Sequence, residues 1–173
     1  MSRLSKVTLT AFVAATLAGS CLHFFYELLP NPLTACFAPV NESLWEHLKL
    51  LYWPCLTAAL ILGRREGWAA LGRRAAALLL FSGVMLAAGY VYHVVLGGTA
   101  LFFDVALYVL LMAGAFLLPQ LWKGPEARRE LLVLLAVALG AAIVLFTFLP
   151  PGGILFQDLS LNVRYGLPVH PHP

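Results

Sequence analysis

Charge is what this sequence of 173 residues has least of: 11% of its residues are charged and 61% are hydrophobic. Soluble proteins carry about 25% charged residues, so an ordinary water-facing surface is excluded and a membrane is expected. The net charge of +3, from 11 basic and 8 acidic residues, is too small and too scattered for a nucleic-acid groove, which excludes that class of partner. Three cysteines make neither a disulfide framework nor a CxxC redox pair, although Cys21 and Cys36 both fall on the side expected to be external. An HExxH helix, a serine nucleophile elbow and a phosphate-binding loop are all lacking. No reaction can therefore be read directly from a motif.

What the chain has in abundance is long apolar runs. A helix rises about 1.5 Å per residue, so about 20 apolar residues cross a hydrocarbon core about 30 Å thick. Five runs meet that length: Val7 to Leu29, Trp45 to Gly63, Ala75 to Leu96, Ala100 to Trp122 and Leu131 to Leu149. They are continuous and rich in Leu and Ala rather than alternating, which predicts an all-α integral membrane bundle of five transmembrane helices and not a barrel. Residues 1–153 form that domain, and residues 154–173 an extracytoplasmic tail or lid after the Pro150-Pro151-Gly152-Gly153 break. A lipoprotein signal ending at Cys21 fits poorly, since Ala18 stands where a large aliphatic residue is expected, so an uncleaved first helix is expected.

Basic residues set the expected orientation, because short cytoplasmic loops hold an excess of Lys and Arg. Nine of the 11 fall on one side of these spans, and only Lys49 and Arg164 on the other. This predicts a multi-pass membrane protein with a cytoplasmic amino terminus and an extracytoplasmic carboxyl terminus. The five histidines, His23, His47, His93, His170 and His172, then all lie outside, with Glu27, Glu42, Glu46, Asp104 and Asp158. Ionisable residues at membrane depth face the bundle interior or a wet cavity, so a shared external pocket is expected.

The densest polar stretch is Asn41-Glu42-Ser43-Leu44-Trp45-Glu46-His47-Leu48-Lys49. Ser43 and Glu46 match a capping box, and Glu46 is the nearest partner for Lys49. Read as helix, Glu42, Trp45, Glu46 and Lys49 share one face. Pro54 frees the Leu50 carbonyl and is expected to open the bundle just below Lys49. His23 and Glu27 stand four apart on the first helix, suited to metal ligation or acid–base work. His93 and Asp104 flank the Gly97-Gly98 connection and can approach one another.

This run, preceded by His23-Phe24-Phe25-Tyr26-Glu27 and followed by Pro150, Phe156, Asp158 and Tyr165-Gly166, resembles a bacterial domain-of-unknown-function family of small polytopic membrane proteins. The resemblance spans most of the chain and rests on an Asn-Glu-Ser-x-Trp-Glu-His-x-Lys motif. It implies a polytopic fold in a bacterial inner membrane and focuses attention on the motif. It brings no activity, substrate or cofactor with it.

The leading expectation is a site in which His23, Glu27, His47 and His93 hold a divalent transition metal such as zinc, while Glu46, His47, Lys49 and Asp104 act on substrate. Metal-dependent hydrolysis or transfer on a lipid-linked or amphipathic substrate suits such a site, with Lys49 steadying a developing oxyanion. The alternatives are a solute-binding or transport component and a structural or accessory subunit without chemistry. Expected partners are the lipid bilayer, a lipid-linked or small-molecule ligand, and a second copy or another membrane protein packed on the small-residue face of Ala11, Ala14, Ala15 and Ala18.

Overall fold

A computed structural model describes residues 6–122 and 128–160, and every regular element among them is helical. The helices are α1 (Lys6–Leu28), α2 (Pro32–Phe37), α3 (Leu44–Glu66), α4 (Trp68–Gly89), α5 (Leu101–Leu121) and α6 (Arg129–Phe148). A π-helical turn, Tyr90–Val95, prolongs α4, and a short 3-10 turn, Ile154–Phe156, follows α6. His170 and His172 lie outside the described residues, as do Arg3, Lys123, Arg164 and Tyr165.

Four helical stretches are long and apolar enough to cross a membrane: Lys6–Leu28, Trp68–Val95, Leu101–Leu121 and Arg129–Phe148. This corrects the expectation of five. The run from Trp45 to Gly63 does form a helix of 23 residues, but Glu46, His47, Lys49, Tyr52, Trp53 and Pro54 dilute its apolar character. The reason is its position. Thirteen residues of α3 are buried, against three of α1 and three of α6, so α3 is clad by the other helices and need not present an apolar face to lipid. Lipid contact falls instead to exposed side chains such as Leu17 on α1, Leu80 on α4, Leu110 on α5 and Leu134 on α6.

Lipid gives no hydrophobic drive for helix association, so close packing at small residues and buried hydrogen bonds must supply it. Tyr52 of α3 donates to Ala136 O of α6 at 2.8 Å, and a Cβ on Gly140 would come within 2.2 Å of that hydroxyl. Tyr108 of α5 likewise donates to Thr16 O of α1 at 2.9 Å over Gly19. Gly19 also closes over the Leu50 carbonyl that Pro54 leaves without its helical amide, since a Cβ there would sit 2.3 Å from that oxygen. The opening expected below Lys49 is thus filled by α1 at this point. Cys21, Cys36 and Cys55 are free thiols.

The antiparallel connections sort the charges by end. Arg64, Arg65, Arg73, Arg74 and Arg129 gather at one end, where Arg74 is buried in a two-pronged pair with Glu66 at 2.8 and 2.9 Å. His23, His47 and His93 gather at the other, around the start of α3.

Candidate metal centre

At the histidine end the chain between α2 and α3 is shaped by short polar side chains. Asn41 Oδ1 accepts the Ser43 amide at 3.0 Å, and Ser43 Oγ accepts the Glu46 amide at 3.3 Å, so α3 begins after Ser43. Only that half of the expected capping box forms: Asn41 already holds the Ser43 amide, and the Glu46 carboxylate is drawn elsewhere. Glu42 therefore precedes the helix rather than sharing a face with Glu46 and Lys49, and it projects toward two imidazoles.

Glu42 Oε2 lies 3.3 Å from His47 Nε2, and Oε1 lies 4.0 Å from His23 Nε2. The two imidazole rings are 5.4 Å apart, and one ligand atom from each of His23, Glu42 and His47 falls within 4.8 Å of the others. Two ligands placed tetrahedrally about 2.0–2.2 Å from a zinc ion are about 3.4 Å apart, a spacing that Glu42 and His47 already have at 3.3 Å and that His23, 4.0 Å from Glu42, would reach by closing in. His47 Nδ1 donates to Ser43 O at 2.9 Å, which fixes the tautomer that leaves Nε2 as the ligating nitrogen. The hydrogen bond that a protonated His47 donates holds the Glu42 carboxyl below its ordinary range, against partial burial that pushes it up; an ion bound here would replace that Nε2 proton. His23 Nδ1 is buried without a hydrogen-bond partner.

Beside this group is a second pair. His93 Nδ1 donates to Gly98 O at 2.9 Å, and its Nε2 stands 2.7 Å from Asp104 Oδ1, joining the π-helical turn after α4 to the first turn of α5. π-helical turns recur at functional positions. Asp104 is 40% exposed.

Of the residues expected as metal ligands, His23 and His47 come together, His93 is engaged by Asp104, and Glu27 is exposed and outside the group. Glu42 takes the carboxylate position. The signal for it was present in the sequence: Ser43 as the capping residue puts Glu42 outside the helix, free to turn toward His47.

Glu46 and Lys49 lie behind this group and are 4% and 0% exposed. Lys49 Nζ pairs with Glu46 Oε2 and donates to Ala35 O at 2.7 Å and Ala38 O at 3.2 Å, so all three of its protons have acceptors. The same Glu46 oxygen accepts the Val40 amide at 2.9 Å, and Oε1 accepts Thr147 Oγ1 at 2.9 Å. Trp45 packs between Phe146 and Phe156, which brings the 3-10 turn back onto α3.

The family described as Family of unknown function (DUF6512) matches residues 1–167. No curated protein and no solved structure matches the chain.

Proposed function

The chain belongs to the DUF6512 family, and we propose that it is a polytopic membrane protein that holds a divalent transition metal between His23, Glu42 and His47. The observation that carries this reading is the convergence of two imidazoles and an ionised carboxylate within 4.8 Å, one imidazole already oriented by a main-chain carbonyl. Two histidines and one carboxylate suit zinc, which, held by them, would supply Lewis acidity toward water or substrate.

The arginine end faces the cytoplasm and the metal end faces outward, as the distribution of basic residues favours. Lys6 then lies inside and Phe148 outside, which requires α3 to traverse the bundle as well, clad by the four apolar helices. The neighbouring pair supports a hydrolytic role, in which Asp104, held by His93, would take the proton of an attacking water and return it to the leaving oxygen as the acyl or phosphoryl bond breaks. Exposed Phe24, Phe25, Leu28, Leu101 and Phe102 border this end, which favours a lipid-linked or amphipathic substrate. A purely structural reading is favoured only at Glu46 and Lys49, whose polar atoms are already satisfied.

Cobalt(II) titration of the purified protein in detergent tests the metal reading. The expected result is a visible ligand-field spectrum that saturates near one ion per chain and is lost in His47→Ala. A spectrum no different from free cobalt(II) in buffer overturns it.

A further inference from the structure

The expected substrate-facing role of Lys49 leaves its surroundings unexplained. A buried lysine is costly unless paired and fully hydrogen-bonded, and here all three ammonium protons are spent within the protein. Two of its acceptors, Ala35 O and Ala38 O, belong to the last turn of α2 and the residue that follows it. Trp53 Nε1 adds a third tie from α3, donating to Cys36 O at 3.1 Å. Glu46 reaches the same segment two residues further on, at the Val40 amide, and reaches α6 through Thr147.

The chain leaving this clamp is Val40, then Asn41, then Glu42. Asn41 fixes the next step through the Ser43 amide, so the carboxylate of Glu42 has a firm anchor on each side. We infer that Glu46 and Lys49 are positioning residues: together they lock residues 35–40 onto α3 and α6 and thereby set Glu42 against His23 and His47. This rests on the metal reading above for its purpose, but the clamp itself can be measured without metal.

The pair can be tested because a buried ion pair is replaceable. Removing one partner strands the other charge, whereas replacing both by apolar residues of similar volume is often close to neutral for stability. The double variant Glu46→Leu/Lys49→Met is therefore expected to fold with a Tm in metal-free detergent near that of wild type. Two readouts follow. Hydrogen–deuterium exchange of residues 38–42 in the apo protein is expected to quicken at least tenfold, while exchange in the α3 stretch 55–62 stays as in wild type. The zinc Kd is expected to rise at least tenfold, with Thr147→Val giving a smaller rise in the same direction.

Unchanged exchange at 38–42 overturns the clamp, whether or not metal binds. Faster exchange with an unchanged zinc Kd overturns its positioning role. Faster exchange in a protein whose wild type binds no metal supports the clamp while removing the metal reading. Where the double variant fails to fold, Glu46→Gln, which keeps the shape and removes the charge, is read by the same two measurements with the same criteria.

Discussion

Glu27 stands one helical turn from His23 and Glu42 lies far along the chain, yet Glu42 is the carboxylate that meets both histidines. Helical spacing made the Glu27 pairing attractive, but that residue lies in the final turn of α1 and remains exposed, while His23 turns inward to His47. His93 and Asp104 were legible as neighbours because only a short connection separates them. Their arrangement predicts a division of labour: His93→Ala and Asp104→Asn retain the wild-type metal stoichiometry, measured by elemental analysis, because neither ligates. Loss of the ion in either variant would make the pair part of the coordination sphere. Packing residues are equally specific. Gly140→Ala places a methyl group 2.2 Å from the Tyr52 hydroxyl and is expected to cost about 1–3 kcal/mol, read as a lowered Tm in detergent. An unchanged Tm would mean that Tyr52 can move away from Ala136 freely.

Among the elements, α3 shows most clearly where sequence reasoning held and where it failed. The apolar run from Trp45 to Gly63 located it and the capping serine marked its start, although the helix runs further, over Leu44–Glu66, and leaves out Glu42. Its place in the molecule was not readable, because hydropathy records how apolar a helix is and says nothing of whether protein or lipid surrounds it. A helix clad by α1, α4, α5 and α6 can hold Glu46 and Lys49 in its first two turns, provided they satisfy each other. Lys49→Met alone leaves the Glu46 carboxylate buried and unpaired, and is expected to cost about 3–5 kcal/mol. Adding Glu46→Leu is expected to restore most of that loss, as measured by thermal unfolding. If the second change deepens the loss instead, the pair stabilises the fold directly. The capping box failed for a related reason: a buried carboxylate held by a lysine, a main-chain amide and a threonine is turned away from its own helix start.

At the scale of the whole molecule, the bundle separates two chemistries by its length. Arginines collect at one end with Glu66, and histidines with Glu42 and Asp104 at the other. That polarity was visible in the order of basic and histidine residues along the chain, since alternate helix ends must share a side. With Cys21 and Cys36 replaced by serine, a thiol at Gln157→Cys is expected to react with an impermeant reagent on intact cells, and one at Arg65→Cys only after permeabilisation. The opposite pattern would invert the orientation. The central claim remains the ligand set. Zinc stoichiometry after loading and exhaustive dialysis, compared among wild type, Glu42→Ala and Glu27→Ala, tests it most directly. The account predicts one ion per chain in wild type and Glu27→Ala and none in Glu42→Ala; equal retention in all three, or none in wild type, would contradict it.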